Sequence, residues 1–420
     1  MRYPGAGHSQ AAAAAASGQR GGAFRSLAHR DFRLFWLGQA LSLTGMWMRV
    51  VARGWLVLRL TDSAFALGYV SFLGVLPALP VALVGGALID RMPKRRLILL
   101  TQVGLAVQAL ALAGLTWSGA VRIWHLVLLE MVWAVLGALD QPARQSFVVE
   151  MVGPEDLTNA IALNSSLFNG TRAFGPALGG LLLAQVGEAG CFLVNGVAYL
   201  GAVVALLLMR GPDRVASPDS RGLGRSTLDG YRYVLGQPVL MGLLALAGAV
   251  GLLGTPFLNL MPVFARDVLD VGEKGLGFLT ASVGVGAVLG SLWVATLPSV
   301  ARGRRLALVT GLFCVALVAF AFSPVAALAV PVLAAAGAAF VAVQALDNSL
   351  VQTLVDGRMR GRVMSLYSLL FVGSQQVGTL LAGAAADIWG GPVAVAGTAV
   401  LCGLFALALF WAIPGLRRVE

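Results

Sequence analysis

Between Ser63 and Ile89 the chain carries no charged side chain, and the same holds from Leu97 to Trp117. About 20 consecutive apolar residues are what a helix needs to cross the hydrocarbon core of a bilayer. A chain that repeats such runs cannot bury them all in one aqueous globule, so lipid must be its main solvent. Twelve runs can be counted, near 34–58, 64–89, 97–117, 122–142, 158–186, 189–209, 238–264, 274–297, 306–323, 326–351, 363–386 and 393–414. Composition agrees: 12% of residues are charged, against about a quarter in soluble domains. The expectation is an all-α membrane protein with twelve transmembrane helices in a bilayer.

The formal net charge is +11, and where the cations lie decides what it means. Lys and Arg recur in alternate loops instead of gathering on one face. Alternate basic loops mark the cytoplasmic side of a membrane protein, whereas nucleic-acid binding needs a single basic surface. Both termini and the turn from Gly85 to Arg96 are therefore expected in the cytoplasm of a bacterial inner-membrane protein. No nucleic-acid partner is expected, and the chain is expected to act as a monomer. The longest polar interval, 211–237, is rich in Pro, Gly, Ser and mixed charge. It reads as a cytoplasmic linker between a six-helix unit at 24–210 and another at 238–420. Residues 1–23 read as a disordered tail, since Ala11–Ala16 is too short and too weakly apolar for a signal peptide.

Cys191, Cys314 and Cys402 lie far apart in apolar runs, and no histidine has a second ligand at metal spacing. No disulfide framework, metal or cofactor is expected. A nucleophile with a neighbouring His and carboxylate is lacking, as is a phosphate-cradling Gly-x(4)-Gly-Lys-[Ser/Thr] loop, so an enzyme is not expected.

The turn between the second and third runs reads Gly85-Gly-Ala-Leu-Ile-Asp-Arg-Met-Pro-Lys-Arg-Arg96. Gly85 and Gly86 end the incoming helix, where a missing side chain lets another helix come close. Asp90 then sits at the membrane edge, placed to meet a cation or a helix N-terminus. The spelling Gly-x-x-x-Asp-Arg-x-x-Lys-Arg, carried by Gly86, Asp90, Arg91, Lys94 and Arg95, resembles the loop between helices 2 and 3 of the major facilitator superfamily. The fifth run holds Gly170, Arg172, Gly175, Pro176, Gly179 and Gly180. Proline kinks a helix, and Gly175 and Gly179 form a small-x-x-x-small packing face. This stretch resembles the Gly-x(4)-Gly-Pro-x-x-Gly-Gly motif of that superfamily's antiporters. Leu27–Gln39, Asp140–Glu150, Leu157–Ser165, Pro262–Leu269 and Arg360–Tyr367 resemble its enterobactin-exporter-like branch.

The resemblance implies two pseudo-symmetric six-helix halves with a substrate site between them near the membrane midplane. It also implies alternating access and export of a siderophore, drug or other amphiphilic small molecule, with protons as the coupling ion. Two alternatives stay open: a facilitator or importer of a small anionic metabolite, and a non-transporting receptor or scaffold on the same fold. In that plan Asp90 would lock one state by pairing with Arg144 or with the start of span eleven near Val363.

Ionisable groups inside the runs are Arg49, Arg53, Glu130, Arg172 and Asp347, with Asp140 near one end of the fourth. Each costs roughly 2.5–3.5 kcal/mol at mid-helix on insertion scales, so none should face lipid. Arg49 and Arg53 are one turn apart and share a face. They lie roughly 15 and 9 Å below the outer end of their span, and Glu130 about 12 Å below the outer start of its own. Their equal depth, in spans that line the superfamily's central cavity, makes Arg49, Arg53 and Glu130, together with Asp347, the candidates for substrate binding and coupling. One carboxylate neutralises one guanidinium, leaving the other free for an anionic or catecholate-like substrate group. The competing reading is a static ion-pair network that holds helices together.

Overall fold

Every described segment of regular structure is helical, which is what a bilayer demands of a chain without a closed barrel: each backbone polar group must be satisfied within its own segment. The computed structural model describes residues 24–81, 91–153, 155–210, 231–298 and 300–418. Gly85, Gly86 and Asp90, the tail 1–23 and most of the linker lie outside the described residues.

Helix α1 is Arg30–Thr61. It ends where Asp62 turns left-handed at φ 49° and returns its N–H to the Leu58 carbonyl. Next come α2 (Ala64–Val81), α3 (Lys94–Trp117), α4 (Ile123–Met151) and α5 (Leu157–Leu207). The second series is α6 (Pro238–Val268), α7 (Gly272–Ala295), α8 (Arg302–Ala321), α9 (Ala326–Leu354), α10 (Arg360–Trp389) and α11 (Gly391–Ala412). Helices α2 to α11 are the ten described helices apolar and long enough to cross a membrane. Two features carry the count to twelve. The charged α1 packs along α5, and α5 is itself a hairpin.

The hairpin turns at Gly187, whose φ of 67° and ψ of −176° suit only a residue without a Cβ. Beyond it the chain runs back, so that Cys191 Sγ comes within 4.0 Å of the Gly179 carbonyl oxygen. Helix α1 lies against both arms, with Gly175 and Gly179 against Trp47 and Met48, and Gly38 and Gly45 against Ala202 and Asn195. The sequence places two spans here, and the break falls between them. Pro176 sits within a continuous helical arm and does not break it.

The two series meet along two seams, α2 with α10 and α5 with α7. Both are built from glycines whose missing side chains admit a neighbouring backbone. A Cβ on Gly68 would lie 2.6 Å from the Thr379 oxygen, and one on Gly383 would lie 2.6 Å from the Ala64 oxygen. A Cβ on Gly180 would lie 2.5 Å from Gly277 Cα, and one on Gly284 would lie 2.4 Å from the Arg172 oxygen. These contacts run from the end of the molecule that carries Gly187, Gly272 and Asp387 toward its middle. The seams bring together the end of α10 and the start of α2, and the outer part of the first α5 arm and the start of α7.

Candidate functional site

Side chains that span both series brace the sealed end. Asp387 on α10 accepts from the Ala64 N–H at 2.6 Å and the Phe65 N–H at 3.2 Å, and from the Ser63 hydroxyl at 2.5 Å. A carboxylate from one half thus caps a helix of the other, where the N-terminal dipole favours negative charge. Arg266 on α6 donates to the Leu58 carbonyl at 3.2 Å and pairs with Asp62 at 2.8 Å, clamping the end of α1. Deeper in, the Ser71 hydroxyl donates to Asn259 Oδ1 at 3.3 Å, and Asn259 Nδ2 donates to Thr379 Oγ1 at 3.2 Å.

Toward the opposite end a cavity of about 850 Å³ opens among α1, α2, α3, α4 and both arms of α5. Its wall mixes amides and hydroxyls (Gln39, Ser42, Gln102, Gln141, Asn164, Ser165) with aromatic faces from Trp133, Phe168 and Tyr199. Gln39 Oε1 and Asn164 Oδ1 are buried without a hydrogen-bond partner. A mostly apolar concavity with a few placed polar groups is the usual form of a small-molecule site.

The structure brings Arg49, Arg53 and Glu130 together. Arg49 Nη2 donates to Glu130 Oε1, and Arg53 Nη1 approaches Oε2 at 3.4 Å. The Arg49 side chain is 1% exposed, Glu130 5% and Arg53 18%. Gly74 on α2 makes room for the carboxylate, since a Cβ there would lie 2.8 Å from Glu130 Cβ. The cluster does not line the cavity. Trp133 stands between: it lines the cavity, and the Arg49 guanidinium lies over its ring, 4.4 Å from the centroid. This is a cation–π contact, and Arg49 Nε has no hydrogen-bond partner. Trp133 was not among the expected residues, although its place three residues after Glu130, on the same helix face, is the signal that points to it.

The other expected residues are dispersed. Arg144 donates to Asp140 at 2.6 Å, one turn earlier on α4. Asp140 also receives the Thr101 hydroxyl at 2.6 Å and Gln102 Nε2 at 3.1 Å. Lys94 pairs with Glu150 on α4, and Arg95 donates to the Leu206 and Leu207 carbonyls at 3.0 and 3.2 Å, closing the end of α5. Arg91 is exposed. In the fifth-span motif, Gly175, Gly179 and Gly180 are tightly packed, but a Cβ on Gly170 would meet nothing within 4 Å. Arg172 is half-buried and makes no ion pair among the described residues. Asp347, on α9, is 1% exposed and belongs to the other half. Among the described residues no group of three metal-ligating side chains forms.

A bundle of helices in two series, sealed at one end and hollow at the other, defines a membrane transporter of the major facilitator fold. Solved structures share it. A bacterial homologue of the human lysosomal transporter Spinster, inward-facing and occupied, matches at TM-score 0.69 and 16% identity, over 93% of this chain and 98% of that one. The nucleoside transporter NupG matches at TM-score 0.71 and 12% identity, over 93% and 99%. Identities this low establish the fold alone. The chain belongs to the transmembrane secretion effector family, whose profile matches residues 21–419. Among its curated relatives is the multidrug efflux pump Tap of Mycolicibacterium fortuitum, 28% identical over 82% of this chain and 87% of that protein. Another is the enterobactin exporter EntS of Shigella flexneri, 29% identical over 84% and 85%. The staphyloferrin A transporter of Staphylococcus aureus is 24% identical over 62% and 66%.

Proposed function

We propose that this chain is a proton-driven exporter of amphiphilic small molecules, working by alternating access in a bacterial inner membrane as a monomer. The observation that carries the reading is the asymmetry of the two ends: a seam of glycine contacts and cross-half caps at one, and a cavity at the other. The basic residues of the Lys94–Arg96 turn, Arg144 and the start of α8 cluster at the hollow end, which supports a cytoplasmic placement for that end and for both termini. The state described is then one that takes its cargo from the cytoplasm. Residues 24–210 and 238–420 act as the two moving halves, and 211–237 as the cytoplasmic linker between them.

Relatives named as a multidrug efflux pump and an enterobactin exporter support an amphiphilic cargo, which suits a wall of aromatics and amides. In this reading an anionic or catecholate group displaces Trp133 and reaches Arg49 and Arg53, competing with Glu130. Freed from its arginines, Glu130 takes up a proton, and that exchange couples proton to cargo. Buried arginine cannot shed its proton, so the two guanidiniums stay available as the anion's partners throughout.

Purified protein in proteoliposomes tests this with a catecholate probe and a neutral dye of similar size. An imposed pH gradient should drive accumulation of the catecholate, and a protonophore should abolish it. Arg49→Gln and Arg53→Gln should weaken catecholate binding more than dye binding. Glu130→Gln should keep binding and lose the pH dependence of transport. Normal transport with an unchanged pH profile in all three variants would make the cluster structural and sink the coupling scheme.

A further inference from the structure

Two short patterns occur twice in the chain. Ala138-Leu139-Asp140-Gln141 on α4 returns as Ala345-Leu346-Asp347-Asn348 on α9. Arg95-Arg96-Leu97-x-Leu99-x-Thr101 on α3 returns as Arg304-Arg305-Leu306-x-Leu308-x-Thr310 on α8. In each half the two helices are packed against each other. Asp140 and Asp347 therefore hold corresponding places, and their surroundings can be compared donor by donor.

Asp140 has three donors: Thr101, Gln102 and Arg144. Around Asp347 each is lost. Gly311 follows Thr310 where Gln102 follows Thr101, and Val351 stands four residues after the aspartate where Arg144 stands. The Thr310 hydroxyl donates instead to the Leu306 carbonyl at 2.8 Å. Asp347 is 1% exposed, and neither carboxyl oxygen has a hydrogen-bond partner. The Tyr367 hydroxyl on α10 is close enough to interact with the carboxyl, although no hydrogen bond of ordinary length joins them. Other charged groups on the helices packed against α9 form no ion pair with it: Arg360, Arg362 and Asp387 stand near the ends of α10. Arg302, Arg304 and Arg305 begin α8, with Arg305 held by the Pro298 carbonyl, and Cys314 lies further along α8. Glu273 and Lys274 on α7, and Arg266 and Asp267 on α6, sit at the sealed end. No cation pairs with Asp347 among the described residues.

An ionised carboxylate buried without a cation, and without a hydrogen bond of ordinary length, is far costlier than a neutral acid in the same place. We infer that Asp347 is a proton-binding site of the second half, loaded in the state described here and unloaded toward the hollow end before α9 and α10 shift to close it around cargo. The step is a simple exchange. The carboxyl O–H breaks, the proton leaves to water or to a neighbouring acceptor, and the carboxylate left behind gains the donor or solvent it lacks here. Tyr367, the nearest hydroxyl, is the donor positioned to receive the newly formed carboxylate. The inference rests on the transport reading above and adds to it a second carboxyl, in the half opposite Glu130.

Infrared spectroscopy of the wild-type protein in lipid tests it directly. At neutral pH a protonated-carboxyl C=O band should be present, should shift on 13C-labelling of aspartate, and should be missing from Asp347→Asn. A spectrum without a protonated aspartate at neutral pH overturns the inference, whether or not the variant folds. In proteoliposomes Asp347→Asn should exchange catecholate across the membrane without a gradient as the wild type does, yet lose accumulation driven by a pH gradient. Tyr367→Phe should keep accumulation and shift its pH profile. If Asp347→Asn accumulates catecholate as the wild type does, Asp347 carries no coupling proton, while the transport reading stands. If the wild type itself shows no exchange, the transport reading fails, and the inference with it.

Discussion

The two halves build the same corner in opposite ways. In the first, Asp140 is held by a threonine, a glutamine and an arginine, and Glu130 lies between two arginines. In the second, Asp347 is the one acidic or basic side chain in the interior of α6 to α11, and it has no ion-pair partner among the described residues. The scaffold is shared, so the difference is electrostatic. Buried carboxylates with cations are fixed in the charged form and tie helices together. A buried carboxyl without them is stable only as a neutral acid, and so answers to protons before it answers to neighbours. In the transport cycle proposed above both have a use, an ion-paired site where an anionic cargo competes for the cations and a bare acid that carries a proton.

The largest test of this contrast is stability. Glu130→Ala strands two buried guanidiniums, and removal of one partner from a buried pair costs about 3–5 kcal/mol. Asp347→Asn removes no pair and leaves a neutral group of the same shape, so its cost should stay within about 1 kcal/mol. Denaturant unfolding in mixed micelles would measure both. Equal losses would mean that Asp347 is paired after all.

Next is the seam. Asp387→Ala removes the acceptor for two N–H groups and a hydroxyl at the start of α2. Loss of a cap costs about 1 kcal/mol, enough for a roughly fivefold shift away from the sealed-end state. Spin labels at Trp117, the last residue of α3, and Phe322, just past α8, both exposed at that end, should report a larger population of long distances. An unchanged distribution would leave Asp387 a local cap with no part in closing the halves.

The smallest effect is expected at the turn. Lys94 pairs with Glu150 in its own half, partly exposed. Lys94→Gln should cost about 0.2–1 kcal/mol, less at high salt, and leave the seam population unaltered. A change in spin-label distances at the sealed end would assign this pair to switching instead.

The architecture is legible in the sequence because the bilayer imposes one length on every crossing. Even the short return at Gly187 shows there as a two-residue gap between apolar runs. The meeting of Arg49, Arg53 and Glu130 is legible for a related reason: helical rise is constant, so depth can be counted from each end. What escapes such counting is lateral packing. Nothing in one dimension says that Trp133 screens the arginines from the cavity, that Asp387 reaches the first turn of α2, or that Gly170 faces open space while Gly175 and Gly180 are tightly packed. The repeated Ala-Leu-Asp was visible in the letters, but its meaning depended on which donors surround each copy.

The central claim is that the hollow end opens to the cytoplasm and accepts cargo there, while the Asp387 seam keeps the outside closed. Cysteine accessibility tests it most directly, on a background in which Cys191, Cys314 and Cys402 are replaced. Asn164→Cys, on the cavity wall, should react with an impermeant thiol reagent in inside-out vesicles and not in right-side-out ones, and added catecholate should slow the reaction. Ser63→Cys, at the seam, should be protected from the inside. Reaction of Asn164→Cys only from the outside would contradict the account, because the cavity would then open to the wrong side for an exporter loading from the cytoplasm.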